Sequence, residues 1–414
     1  MKRAYDVVVW GSTGFTGQLV AEYLATIVGS TRFPSFSYAI AGRNQSKLET
    51  LQESIASGTG GRVRPDILVG DATAVDTVHS VVKQARVVIC TAGPFLQYSV
   101  PVAEACVENG CHYVDISGET PYAKCLIDKL HRKAFEKGLV VSPMCGFDSI
   151  PSDLGTLFAV DELKKQTQSP CRKVTGYCAL SGSFSGGTVA TGIMIDSDPK
   201  LKRMAADPFL LGGCPAGGIR EHDEDVRAAQ FDDAVGCWTG PFMMAPINTR
   251  AVRRSHGLYA EAYPPGYGPN FSYNEVQLAD SERRAKALVR ILSSTAEERK
   301  QMVQAGMLPS PGQGPSEEKR AKSRFRFVLR AEAEDGTVVN TLVAGGDPGY
   351  GETAKMVSES ALTILQHEAT IVQEARTGVV PPAFSLGHRL IANLVAQGIE
   401  FKVIDNTAKL SPKL

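Results

Sequence analysis

The 414-residue sequence has no run of about 18 apolar residues, so no segment is built to cross a bilayer as a helix. It has no excess of charge either. The 44 Lys and Arg balance 44 Asp and Glu, so no global positive field exists to hold a phosphate backbone, which argues against a dedicated nucleic-acid binder. The nine Cys are scattered, odd in number and include no CxxC pair, a pattern that fits neither a disulfide scaffold nor a Cys-rich zinc module. The seven His include no HExxH, and no metal site is expected. Met1-Lys2-Arg3 leads within a few residues into a strand pattern, too early for the apolar core of a signal peptide. These absences leave a soluble protein of a reduced, cytoplasmic compartment. Its length suggests two domains or three.

Short apolar runs alternate with helical patterns in the first third. Strands are expected at 6–10, 36–41, 67–69, 86–91, 112–116 and 139–143. Helical periodicity separates them, with Leu19, Val20, Tyr23, Leu24 and Ile27 on one face after the first strand. The other helices are expected at 46–56, 75–84, 100–109 and 122–137. Strands separated by helices of this length predict right-handed βαβ units in a doubly wound parallel sheet of Rossmann type, with strand order 3-2-1-4-5-6. The pattern changes near Ser152. A helix at 154–163 leads into an α+β region with strands at 174–180, 324–330 and 338–343. Asp335-Gly336 marks a hairpin turn, so an antiparallel second sheet is expected. Three stretches read as loops: 212–218, 264–270 and 309–322. A long helix is expected over 352–375. The resulting domains are 1–152, 153–345 and a C-terminal helical segment, 346–414, packing back toward the first domain.

Gly11-Ser12-Thr13-Gly14-Phe15-Thr16-Gly17 joins the first strand to its helix. Its glycines allow a tight turn, close backbone approach to a pyrophosphate and close helix–strand packing, with the helix N-terminus facing the phosphates. The same pattern also makes a ligand-free turn; the βα context favours the nucleotide. The second strand ends Ala41-Gly42-Arg43-Asn44, where NAD enzymes carry a carboxylate for the ribose 2′-OH. A guanidinium there suits a 2′-phosphate, so NADP is the expected cofactor. Asp71 after the third strand either reaches adenine or caps the next helix. Thr91-Ala92-Gly93-Pro94 is either a plain turn or, with its small residues, a backbone that passes beside the nicotinamide ribose.

GSTGFTG at 11–17, AGR at 41–43, TAGPF at 91–95, YVDISGE at 113–119 and CGFDSIPSDLG at 145–155 together resemble the saccharopine dehydrogenase-like oxidoreductases. SGGT at 185–188, MAPINTRAVRRS at 244–255 and GDPGYGETAKM at 346–356 extend the likeness. The tail PPAFSLGHRL at 381–390 is similar to that of the trans-acting enoyl reductase branch. The resemblance implies a Rossmann domain, an antiparallel second domain and an NADP-linked redox role. It also implies a lipid-linked acyl or enoyl substrate and association with a membrane surface or lipid droplet. The GxxGxxG loop departs from the GxGxxG of saccharopine reductases, which points away from saccharopine as substrate. No Tyr is followed four residues on by Lys, so the Tyr/Lys pair of short-chain dehydrogenases is absent.

Hydride transfer needs a placed nicotinamide and a proton source. Proton-donor candidates follow the fourth, fifth and sixth strands: Tyr98; Asp115, Ser117 and Glu119; Cys145, Asp148, Ser149 and Asp153. Of these Tyr98, Glu119 and Asp148 are taken as catalytic candidates; the structural alternatives are Asp148 as a brace of its own loop, Ser149, Ser152 or Asp153 as a cap of the helix after Pro151, and Cys145 as a core residue. Residues 208–211 and 242–244 either line an acyl site or pack a core. Arg250, Arg253 and Arg254 either meet an anionic group or form a solvated face. The strand edges of the second domain are expected to mediate a homodimer. A non-catalytic NADP-binding protein and an imine reductase of amino-acid metabolism are the competing functions.

Overall fold

Val7, Val8 and Val9 are fully buried, as a strand covered on both faces by helices requires. They belong to β1 (Tyr5–Trp10), the first of six parallel strands, with β2 (Tyr38–Gly42), β3 (Asp66–Val69), β4 (Ala85–Cys90), β5 (His112–Asp115) and β6 (Val140–Ser142). A computed structural model describes residues 3–181, 186–215, 218–310, 314–406 and 410–412. The strand order 3-2-1-4-5-6 is as expected. A seventh strand, Gly378–Val379, extends the sheet beyond β6 and comes from far along the chain. Two residues are too few for periodicity to reveal.

Two compact units form. One comprises Met1–Phe147, Gly312–Gly314 and Tyr350–Leu390; the other comprises Asp148–Pro311, Pro315–Gly349 and Ile391–Leu414. The change of unit thus falls at 147/148 rather than 152/153. The segment expected as one body over 346–414 divides at 390/391. Its first part, the helix Gly351–Gln373, joins the parallel-sheet unit through a buried charge. Glu359 is fully enclosed and accepts from Arg32 at 2.6 and 3.0 Å and from the Tyr23 hydroxyl at 2.7 Å. Arg86 ties Glu368 of the same helix to Asp6 of β1.

The second unit is built on β7 (Cys171–Ser181), β8 (Gln230–Asp232), β9 (Cys237–Pro241), β10 (Ser272–Ala279), β11 (Arg324–Ala333) and β12 (Val338–Gly345), with a last strand at Glu400–Ile404. The β11–β12 hairpin turns at Gly336, whose φ is +88°. The expected antiparallel sheet is mixed instead, because β10 pairs parallel to the central β7. The chain from β7 to β10 passes through helices and the edge strands before returning, a crossover long enough for parallel pairing. Helix Ile150–Lys164 lies close on this sheet. A Cβ at Gly155 would come within 2.9 Å of Leu329. The 309–322 stretch is not wholly a loop, since Glu317–Lys322 is helical. Ser185, 216–217 and 311–313 of the expected segments lie outside the described residues. Among the described residues no helix is long and apolar enough to cross a membrane, and no group of His, Cys, Asp and Glu could hold a metal ion.

Candidate functional site

The Gly-rich loop is shaped by three different demands on its glycines. Gly11 has φ +81°, and its N–H and that of Ser12 both donate to Ala41 O, at 2.9 and 3.1 Å. Ser12 Oγ adds a bond to the same carbonyl at 3.1 Å, which pins the turn to the end of β2. Gly17 packs where a Cβ would lie 2.4 Å from Gly11 O and 2.7 Å from Thr91 Oγ1. Gly14 is different. A Cβ there meets only Gly11 O, at 3.3 Å, and the residue is exposed at the head of the helix Phe15–Ile27. No side chain caps that helix, so its positive end is left for an anion. Thr13 and Thr16 are half-buried on either side of Gly14. Phe15 turns away and packs edge-on against Tyr350, with ring centroids 4.7 Å apart.

Arg43 stands exposed just past β2. It acts through space on Asp71, whose carboxyl is held below the usual range by the Thr73 N–H and hydroxyl and then by Arg43. Asp71 accepts those bonds at 2.9 and 2.8 Å and does not cap the next helix, which begins at Val75 after Ala74. Asn44 caps the helix Gln45–Gly58 by accepting from Lys47 N at 3.0 Å, so its side chain serves the fold. Thr91 Oγ1 lies 3.1 Å from both Trp10 O and Gly11 O and seats the turn after β4 against the Gly-rich loop. Ala92, Gly93 and Pro94 follow, with Ala92 O accepting from Ser99 Oγ at 2.9 Å. The loop, the open Gly14 face and the Arg43 guanidinium after β2 fit a dinucleotide bearing a 2′-phosphate.

The candidate acids separate. Tyr98 ends the short helix Phe95–Tyr98 and is half-buried. Glu119 is fully buried, and its two carboxylate oxygens accept from Phe95 N and Leu96 N, each at 2.8 Å. It orders the start of that helix, with both oxygens already accepting from backbone N–H groups. Asp115 is also enclosed. Its Oδ1 accepts from Ser117 N at 2.8 Å and Met144 N at 3.1 Å, bracing the turns after β5 and β6, and burial pushes its carboxyl up. Cys145 is a buried residue of the same brace, its N–H bonded to Asp115 O at 2.8 Å. Asp148 belongs to the second unit. The residue keeps some exposure, but its Oδ1 is inaccessible and without a partner, and burial pushes the carboxyl up to about 7.

The chain matches the saccharopine dehydrogenase NADP-binding domain over residues 7–141. A Mycobacterium tuberculosis protein assigned by name to the trans-acting enoyl reductases is 31% identical, over 97% of both chains. A trans-acting enoyl reductase of Mycobacterium bovis is 28% identical over 99% of both. The chain belongs to the saccharopine dehydrogenase-like oxidoreductases, near their trans-acting enoyl reductase branch. Among solved structures, the saccharopine dehydrogenase of Saccharomyces cerevisiae shares the fold, with a TM-score of 0.52 at 13% identity, covering 96% of this chain and 99% of that one. An oxidoreductase with NADP as cofactor is therefore the family assignment.

Two features of the second unit depart from the sequence-based alternatives. Arg250, Arg253 and Arg254 form no solvated face. Arg250 is fully buried, paired with Asp225 and bonded to Asp207 O and Ala205 O at 3.1 Å each. Arg253 donates to Pro208 O and Tyr273 O at 2.9 Å each, and Arg254 to Leu211 O at 2.7 Å. The three guanidinium groups anchor the 205–211 segment. The apolar runs beside them are core, with Phe209, Leu210, Leu211, Phe242 and Met244 all buried. Glu275 was not anticipated. It is a fully buried carboxyl in mid-strand on β10. Its signal in the sequence is a charge inside the apolar alternation SYNEVQLA.

Proposed function

We propose that this protein is an NADP-dependent reductase that delivers hydride to an apolar acyl or enoyl substrate. The near full-length similarity to proteins named trans-acting enoyl reductases carries the proposal. NADPH supplies the hydride when bound. The chain's contribution begins with Gly11–Gly17, whose backbone and helix end hold the pyrophosphate, with Gly14 leaving room for it. Arg43 pairs with the 2′-phosphate. Residues 91–94 border the nicotinamide ribose, and Glu119 orders the segment that follows them. The internal engagement of Arg250, Arg253 and Arg254 removes the cations that an imine reductase of amino-acid metabolism would use for a glutamate-bearing substrate. That favours an uncharged acyl chain.

The test is an NADPH-oxidation screen at steady state against enoyl-thioesters, imines and simple carbonyls. Turnover of enoyl-thioesters above the others is expected. Turnover of imines alone would reject the substrate class. NADPH binding without turnover of any member would indicate a non-catalytic nucleotide-binding protein. The outer edges of the second sheet, at β8 and at Glu400–Ile404, favour a homodimer. A monomeric mass in solution at assay concentration would exclude it.

A further inference from the structure

The two faces of the second sheet are covered differently. Glu275 of β10 meets the helix Ala245–Ala262 through the bond from Asn248, and Leu329 of β11 and Val343 of β12 meet the helix Ile150–Lys164 at Gly155. Alternation along each strand turns Asn274, Arg330 and Asn340 to the other face. Register then aligns them. Arg330 pairs with Thr175 of β7 on one side and with Asn340 of β12 on the other, and Thr175 pairs with Asn274 of β10. Directly paired residues project on the same face, with Cβ atoms about 4.5–5.5 Å apart. One polar row therefore crosses four strands, beside the apolar row of Val276, Tyr177, Val328 and Leu342.

The outer members of the row are tied down. Asn274 Nδ2 donates to Glu224 O at 2.8 Å, and its Oδ1 accepts from Glu275 N at 3.0 Å. Asn340 Nδ2 donates to Asn406 O at 3.4 Å, so Oδ1 of that planar amide turns away from Asn406. The centre is not tied down. Thr175 Oγ1, Arg330 Nε and Asn340 Oδ1 are inaccessible, and none has a hydrogen-bond partner. Thr175 and Asn340 are only 8% and 3% exposed. Arg330 carries five N–H donors and makes no hydrogen bond among the described residues. Its ion-pair contact runs from Nε to Glu332 Oε1 at 3.4 Å, and Glu332 also serves Arg172, at 3.2 Å from Oε2. Lys173 pairs in register with Glu332, and Asp232 accepts from the Tyr177 hydroxyl at 2.8 Å. Three cations, Arg330, Arg172 and Lys173, thus stand against two carboxylates, Glu332 and Asp232.

We propose that Thr175, Arg330 and Asn340 form a binding site for a small α-hydroxycarboxylate. The guanidinium fork matches a carboxylate in two parallel bonds. Asn340 Oδ1 only accepts, so it takes the hydroxyl of the ligand, and Thr175 Oγ1 serves either group. Buried polar atoms are nearly always satisfied by protein, water or ligand, and an anion also offsets the excess positive charge, which water does not. Arg330 keeps 17% side-chain exposure, which gives the site an entrance. The site lies on the sheet face opposite Glu275 and the arginines of the helix Ala245–Ala262. It is independent of the reductase reading and of NADP binding.

The test titrates the full chain with glycolate at fixed ionic strength and follows the ¹⁵N resonances of the Arg330 Nε–H and the Asn340 side-chain amide. Both should shift and saturate. Acetate lacks the hydroxyl and should bind roughly tenfold more weakly; glycolamide lacks the charge and should bind more weakly still. Arg330→Lys keeps the charge without the fork and should weaken glycolate roughly tenfold at an unchanged thermal midpoint. Thr175→Val, nearly the same shape, should also weaken it, and Asn340→Asp should abolish binding by repulsion. NADPH affinity, measured on the same samples, should stay the same throughout. No saturable shift with glycolate would mean a solvated row and overturn the site. Equal affinities for acetate and glycolate would overturn the role of Asn340. Inorganic phosphate binding more tightly than glycolate would overturn the carboxylate assignment. Glycolate affinity unaltered in both Arg330→Lys and Thr175→Val would place the ligand elsewhere and refute the proposal.

Discussion

Arg43→Ala should weaken NADPH binding through two effects that the structure separates. The first is the loss of a charge-assisted contact to the 2′-phosphate, which is worth about 1.5–3 kcal/mol, or roughly ten- to a hundredfold in affinity. The second comes from Asp71. Its carboxyl is held below the usual carboxylate range by the Thr73 N–H and hydroxyl and by Arg43, so it is ionised at any neutral assay pH. Without Arg43 that charge is left uncompensated beside the 2′-phosphate, which places the expected loss toward the upper end of the range. Adding Asp71→Asn to the alanine variant should recover part of it, because the repulsion goes and only the contact stays missing. NADH lacks the phosphate, so its affinity should change little in either variant. Fluorescence titrations of both nucleotides against wild type, the single variants and the double variant, at fixed ionic strength, measure all four terms of the cycle. Equal losses for NADH and NADPH would show that Arg43 supports the loop rather than reads the phosphate. No recovery with Asp71→Asn would refute the electrostatic part of the reasoning.

The glycines should separate fold from ligand. Gly17→Ala forces a Cβ to within 2.4 Å of a backbone oxygen and should lower the thermal midpoint, costing on the order of 1–3 kcal/mol; Gly14→Val should leave the midpoint nearly unchanged and abolish NADPH binding. Glu368 is held down to about 2, first by its hydrogen bond with His112 and then by Arg86. A depressed carboxyl stabilises above its unfolded value of about 4.3 and loses that contribution as pH falls toward 2. Glu368→Gln should therefore flatten the acid limb of the stability curve, by under about 1 kcal/mol for so exposed a group, as read by urea unfolding at pH 6 and pH 3. Arg250→Met leaves Asp225 facing a buried site without its cation and should cost about 3–5 kcal/mol in urea unfolding, with partial recovery on adding Asp225→Leu.

The sequence by itself determined the parallel sheet, its strand order and the glycine turn at the first βα junction. Each is a local matter: β-branched runs such as Val7-Val8-Val9, helices at 3.6-residue spacing and three glycines at one βα junction. The missing carboxylate after β2 similarly made Arg43 the candidate for the 2′-phosphate with no structure in hand. Only tertiary structure decided the parts that depend on partners distant in the chain. Gly378–Val379 is a strand because β6 offers an edge, and β10 lies parallel to β7 because an entire α+β segment intervenes. Glu119 looked like an acid at a strand end, and became a brace once the N–H groups of Phe95 and Leu96 were seen to fill both its oxygens. Arg250, Arg253 and Arg254 read as a basic cluster, yet each is claimed by a carbonyl more than 40 residues away along the chain, and Arg253 by a second one 20 residues away. Glu275 and Asn248, which donates to it, lie 27 residues apart, and nothing local to either signals the other. A charge inside a strand is unremarkable in one dimension. Its enclosure between the Tyr273 hydroxyl and the Asn248 amide, both of which donate to it, exists only after the chain has folded.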